Sequence, residues 1–320
     1  MKLEDYEIEK FIGKGTFWEV YLTKKEGDSK KYATRKIDRK EIDNDENIKK
    51  FISNEILILK NLDHPNIIKL YDIKKTKLHY YMIMELCNGG SLSEALKMYK
   101  EKKGKTFPEE LVQYFMRQII DAFKYIHGKK MILRNINLDN ILLHFDNEED
   151  KKNFNLMKAK IKITDFGFSC FCNTLETSLA ENPISIDPFI FTKLNSSPTK
   201  KEKIEYNQSF DIWLIGTILY EMLTGKCAFD AEYMEDLLKL FEIGNYTVPN
   251  SVSIESISFL NSMLQFEPKN RLTTEQLSEH AFLIKEIKHF SKFNLNLKSH
   301  EVKGNEILLN IYRSNQFIDI

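Results

Sequence analysis

Nine consecutive positions, Ile132 to Asn140, hold Arg134, Asn135, Asn137 and Asn140, and 25 positions after Asn140 stands Asp165, followed by Phe166 and Gly167. These polar side chains differ in what they can do. The carboxamide of Asn135 can orient a hydroxyl by hydrogen bonding, but it has no proton-accepting form at neutral pH and cannot act as a general base. Near the N-terminus, the run Ile12 to Val20 carries Gly13 and Gly15, which would let backbone amides approach a ligand closely. Taken alone, that glycine pair describes an ordinary hairpin equally well. Cys170 and Cys172 have no second cysteine pair with which to complete a zinc site.

The elements that must position these residues are legible as periodicities. Short alternating runs at Tyr6 to Ile12, Glu19 to Lys24 and Lys31 to Ile37, separated by Gly13, Gly15, Gly27 and Asp28, predict an antiparallel meander. Phe51, Ile52, Glu55, Ile56, Leu59 and Leu62 recur at helical spacing, so Asn47 to Leu62 is expected to be a helix. Ile67 to Ile73 and His79 to Leu86 read as two further strands. After Asn88, Gly89 and Gly90, which suit a hinge, the pattern becomes helical. Thr106 and Glu109 fit a capping box with Pro108 in the first turn, Leu111 to His127 carry an amphipathic stripe, and Gly128 suits a left-handed end. Asp211 to Leu223 is apolar nearly all round and predicts a buried helix. Asp146 to Asn153 reads as a surface loop between strands Ile141 to His144 and Lys160 to Ile163.

Bulk composition bounds the rest. At 320 residues and 37.8 kDa, with 42% hydrophobic residues, the chain can hold one large domain or two joined lobes. Lys plus Arg equals Asp plus Glu at 47 each, so no net field favours nucleic acid or an acidic membrane surface. The polar start, Met1 to Tyr6, has no secretory pattern, and the apolar run Ile212 to Leu223 is too short to span a bilayer. A reducing, cytoplasmic setting is expected, with four free cysteines and no disulfide framework.

From about Tyr6 to Phe290 the motifs, in their order and spacing, resemble the eukaryotic protein kinases of serine/threonine type. The resemblance implies an α+β, bilobal fold with a small sheet-rich N-lobe over 1–86, a larger helical C-lobe over 87–290, and a C-terminal tail over 291–320. It implies ATP and magnesium as cofactors. Gly13, Gly15 and Val20 match the phosphate-covering loop, with Trp18 at the family's third glycine, where an indole should crowd the phosphate space or flatten the loop. Arg35 matches the Lys that pairs with nucleotide phosphates and with a helix Glu, here Glu55; Lys36 points to the opposite strand face. Ala33 and Leu142 match the residues that sandwich adenine, and Glu85 and Cys87 the segment beside it. Asn140 and Asp165 match the magnesium ligands.

The departures bear on activity. Asn135 stands where the family's catalytic Asp accepts a proton, and Asn137 replaces the Lys that contacts the transferring phosphate. Asp187, Pro188 and Phe189 stand at the family's Ala-Pro-Glu, which leaves Arg271 without its usual acid and makes Asp187 a candidate partner. Asp211 matches the anchor of the catalytic loop, and Leu59, Leu70, Leu133 and Phe166 match an apolar column. Arg134 could meet a phosphate on Thr174, Thr177 or Ser178, or stand exposed and unbound. The runs at His64 to Asn66 and Cys87 to Gly90 look most like calcium/calmodulin-dependent and autophagy-initiating kinases, without a calmodulin-binding helix. The reading is a pseudokinase that acts as scaffold or allosteric regulator of protein partners and still binds ATP; the alternative is a weakly active serine/threonine kinase.

Overall fold

Alternation of inward and outward side chains turns the first eighty-five residues mainly into antiparallel sheet. Strands β1 (Lys2–Leu3), β2 (Tyr6–Lys14), β3 (Trp18–Lys25), β4 (Lys31–Asp38), β5 (Leu70–Lys75) and β6 (His79–Glu85) form one six-stranded sheet in the order β1-β2-β3-β4-β6-β5. The structure, a computed structural model, describes residues 2–15, 17–172, 175–176, 187–195, 204–205, 207–229, 236, 239–241 and 246–287. Thr174, Thr177, Ser178 and the tail 291–320 lie outside the described residues. Contacts divide the chain into a sheet unit that includes residues up to Ala95 and Asp139–Gly167, and a helical unit, Leu96–Leu138 with Phe168–Lys292. The make-up is mixed α+β.

Each face of the sheet has its own packing. One face collects Leu3, Tyr6, Ile8, Tyr32, Tyr81 and Ile83 in a tyrosine-rich cluster. The other is lined by Val20, Ala33 and Met82, all buried. Two helices follow β4. Helix α1 (Arg39–Asn44) is capped by Asp38, and α2 (Glu46–Asn61) by Asp45, whose carboxylate accepts from the amides of Asn47 and Ile48. The buried stripe of α2 is Ile48, Phe51, Ile52, Glu55, Ile58 and Leu59, which sets Phe51 and Glu55 one turn apart on one side.

Helices α3 (Leu92–Lys103) and α4 (Glu109–Gly128), the short strand β7 (Met131–Ile132), and the hairpin of β8 (Ile141–His144) with β9 (Lys160–Ile163) come next. Strand β7 pairs with β10 (Cys170–Phe171), and helices α6 (Pro188–Asn195) and α7 (Ser209–Thr224) complete the helical unit's described centre. Four sequence expectations are corrected here. The strand expected at Ile67 begins at Leu70, and Ile67 makes only an isolated bridge to Ile163. The expected capping box is absent: Thr106 Oγ1 donates to the Leu223 carbonyl, while the Glu109 carboxylate accepts from Ser253 and Ser256. Gly128 ends α4 as a helical residue, and the left-handed residue is Lys130 at φ 59°. The loop expected at Asp146 to Asn153 folds into α5 (Glu148–Asn153), capped by Asn147.

Candidate functional site

Strand register places the N-terminal candidates. Trp18 pairs with Ile37, and Val20 pairs with Gly13 on one side and Arg35 on the other. Trp18, Val20, Ala33 and Arg35 therefore share one face, with Trp18 and Arg35 as diagonal neighbours. On that face Arg35 Nη1 donates to Glu55 Oε2 at 2.7 Å, and the two side chains are 6% and 0% exposed. The pairing expected for Arg35 is present. Lys36, on the opposite face, pairs with Glu19 at 3.2 Å.

The indole of Trp18 is drawn into this cluster. Its ring lies 4.4 Å from the Arg35 guanidinium carbon and parallel to the Phe51 ring, with centroids 6.3 Å apart and planes 8° apart. A Cβ placed on Gly15 would fall 2.4 Å from Trp18 Nε1, and one on Gly167 would fall 2.1 Å from Phe51 Cε2. Both glycines are thus required by aromatic rings pressed against their backbones. The Gly15 amide donates to the Trp18 carbonyl at 2.8 Å. Asn54 Nδ2 adds a bond to the Gly167 carbonyl at 3.0 Å. Among the described residues, Trp18 Nε1, Arg35 Nε and Glu55 Oε1 are buried without a hydrogen-bond partner, so packing and the cation–π contact hold the indole. Sequence reasoning placed Phe51 on the apolar stripe of its helix but missed its stacking on Trp18.

The hairpin of β8 and β9 joins the residues that stand 25 positions apart. Ile141 lies opposite Ile163, and the Thr164 amide donates to the Asn140 carbonyl at 3.0 Å. This brings Asn140 Nδ2 to 3.4 Å from Asp165 Oδ2, both residues buried. Asp165 has φ 66°, a left-handed conformation of the kind that persists where surrounding structure over-determines it. Burial pushes the neighbouring Asp139 carboxyl up from its ordinary value, against a hydrogen bond from Ser93.

Ala33 pairs with Met84 next to Glu85, and the Glu85 carboxylate is held by Lys162 at 2.7 Å. Leu142 is buried and bridges to Ser91, while the Gly89 amide donates to the Leu143 carbonyl at 2.9 Å. Cys87 is enclosed here, and burial pushes its thiol well above the usual range.

The helical unit carries Arg134, Asn135 and Asn137. Asp211, in the first turn of α7, accepts from the Leu133 and Arg134 amides at 2.9 Å each and meets His127 Nε2 at 2.9 Å. Those bonds hold Arg134 at φ 67°. Arg134 is buried, and its Nε donates to the Phe168 carbonyl at 2.6 Å, which corrects the expectation of an exposed, unbound Arg. Asn135 and Asn137 are half-buried. Arg271 has found a new acid: Asp187, with both side chains shielded from solvent. Phe189, at the position of the family's Glu, packs edge-on against Phe266.

The chain belongs to the protein kinase domain family, whose model matches residues 6–283. It is similar to the serine/threonine-protein kinase atg1 of Dictyostelium discoideum, 29% identical over 286 residues that cover 88% of this chain and 40% of that protein. It is also similar to calcium-dependent protein kinase 5 of Plasmodium berghei, 31% identical over 91% of this chain and 48% of that protein. A third relative is the carbon catabolite-derepressing protein kinase of Candida tropicalis, 33% identical over 86% of this chain and 40% of that protein. The chain thus spans less than half the length of these relatives. Its fold is the bilobal α+β kinase fold, with an antiparallel sheet unit and a helical unit. Among the described residues no helix is long and apolar enough to cross a membrane.

Protein kinase domains use ATP with magnesium, and the residues present fit that pair unevenly. Asn140 and Asp165 offer hard oxygens of the type magnesium takes from one or two protein groups, with phosphates and water completing its shell. No cluster of three or more His, Cys, Asp or Glu among the described residues forms a separate metal cage. The phosphate half does not fit: the Gly15 cradle is filled by the Trp18 ring, which also covers one face of Arg35.

Proposed function

We propose that this chain is a serine/threonine-type protein kinase domain with impaired phosphotransfer, acting chiefly as a scaffold or allosteric regulator of protein partners. The observation that carries this reading is Asn135 at the position of the general base, in a loop otherwise built and anchored by Asp211. Loss of a positioned base lowers the rate by about 10²- to 10⁴-fold, against roughly 1 to 100 turnovers per second for intact kinases. Asn137 and Trp18 lower it further, short of a simple product, because residues that act as a unit are not additive.

Retention of a purine site is part of the proposal, supported by Ala33, Leu142 and the Asn140 and Asp165 pair. The reduced cysteines Cys87, Cys170, Cys172 and Cys227 support a reducing, cytoplasmic setting. A second reading, a weakly active serine/threonine kinase, is favoured by the intact Asn140 and Asp165 pair and by the kinase names of the relatives.

The deciding experiment is transfer of radiolabelled γ-phosphate to itself and to generic peptides by purified protein, beside Asp165→Ala. Incorporation no greater than in Asp165→Ala is expected. Slow incorporation that disappears in Asp165→Ala establishes the second reading, and turnover at ordinary kinase speed overturns the impaired reading outright.

A further inference from the structure

We infer that the ligand of this site is a neutral purine nucleoside of the adenosine class rather than a nucleoside triphosphate. That the site takes a purine rests on the kinase-type reading above; the exclusion of phosphates rests on the packing around Trp18. The glycine loop offers phosphates two things, backbone amides and room for close approach. At Gly15 neither is open: the amide donates to the Trp18 carbonyl at 2.8 Å, and the indole stands where a Cβ would be, with Nε1 2.4 Å from that point.

The cation that would draw in phosphates is covered on one face by the indole, 4.4 Å away. Arg35 gives Nη1 to Glu55 and its face to the indole, and Lys36 turns to Glu19 on the other side of the sheet. Phe51 closes the arrangement from α2, parallel to the indole and pressed on Gly167 beside Asp165. The adenine-side positions Ala33 and Leu142 keep small or apolar side chains. A ligand that ends at the ribose meets the retained half of the site and leaves the indole in place.

Titration calorimetry on the full chain with adenosine, and separately with ATP and magnesium, tests this. Adenosine is expected to bind at least as tightly as magnesium ATP. Trp18→Gly, which removes the ring, should shift the ratio at least tenfold toward magnesium ATP, whereas Trp18→Phe, which keeps an aromatic ring there, should preserve the nucleoside preference. Tighter binding of magnesium ATP by the unaltered chain overturns the inference while leaving the purine site standing. A ratio unmoved in Trp18→Gly also overturns it. Absence of binding by either ligand removes both the inference and the purine-site reading beneath it. Should Trp18→Gly fail to fold, the ratio in the unaltered chain decides the question.

Discussion

The guanidinium of Arg271 and the carboxylate of Asp187 meet in a two-pronged ion pair whose side chains are 0% and 1% exposed. Every Arg271 N–H is accounted for: besides the two prongs, it donates to the carbonyls of Gln265, Ser209 and Phe266. The guanidinium also lies 5.2 Å from the Trp213 ring centre. A buried charge this completely satisfied is a structural fixture, and Asp187 supplies it from two positions before the Phe189 that replaced the family's acid.

Removing one partner should therefore be severe. Asp187→Ala leaves Arg271 buried and unpaired, and a loss of about 3 to 5 kcal/mol in unfolding free energy is expected. Arg271→Met added to Asp187→Ala should recover part of that loss, because the stranded charge disappears. Urea unfolding of the three proteins measures both. A change under about 1 kcal/mol in Asp187→Ala, the range of exposed pairs, would contradict the burial argument.

Asp211 is expected to control the shape of the Arg134 to Asn140 loop rather than only global stability. Its two oxygens accept the Leu133 and Arg134 amides, and hydrogen bonds to a charged group contribute roughly 1.5 to 3 kcal/mol. Asp211→Asn keeps the volume and removes the charge, so it should lower stability by about that amount. Amide hydrogen exchange should accelerate first at Leu133 and Arg134, where φ 67° must be held against the backbone's own preference. Equal loss of protection across α4 and α7 would instead mark Asp211 as an ordinary core residue.

Much of this was legible from residue order because local rules and tertiary packing agree in the sheet and in α2. Alternation places Trp18 and Arg35 on one face, and the missing acid at Phe189 points to Asp187 because a buried guanidinium needs a partner. What escaped were cases where a distant group outcompetes a local one. Thr106 bonds the Leu223 carbonyl rather than the first turn of α4, and Arg134 is buried against the Phe168 carbonyl, a backbone acceptor that no side-chain pattern announces. Helix α5 hid in a charged run without apolar periodicity, though Asn147, whose side chain accepts from the Asp150 amide at 2.7 Å, was a readable cap. Phe51 read as core, and its stacking on Trp18 depends on how α2 lies against the sheet.

On the proposed impairment, raising phosphotransfer should require more than one change. Asn135→Asp supplies a carboxylate able to accept a proton, yet the Trp18 ring and the paired Arg35 remain. Combined Asn135→Asp, Arg35→Lys and Trp18→Gly should raise phosphate transfer at least about 10²-fold over the unaltered chain, the lower bound for a positioned base. Asn135→Asp alone should give much less, as expected when parts act together. Single-turnover radiolabel transfer with each protein makes the comparison, and a triple variant no faster than the starting chain would show that the deficit lies elsewhere.

Acid should loosen the C-terminal edge of the helical unit through His280. Its Nδ1 accepts the Phe282 amide at 3.1 Å as the cap of helix Ala281–Ile284, and its ring packs 5.0 Å from Phe259. Only an unprotonated Nδ1 can accept that bond, and burial lowers the imidazole from its ordinary value of 6.5. The unfolded chain therefore takes up this proton first as pH falls. The stabilisation from His280 is complete above about 6.5, the unfolded value, and is lost as pH drops from there through the lower folded value. His280→Asn supplies a cap that does not titrate, so its melting temperature should fall less between pH 7 and 5 than that of the unaltered chain. Calorimetric melts across that range measure the two slopes, and identical slopes would assign the acid sensitivity to other groups.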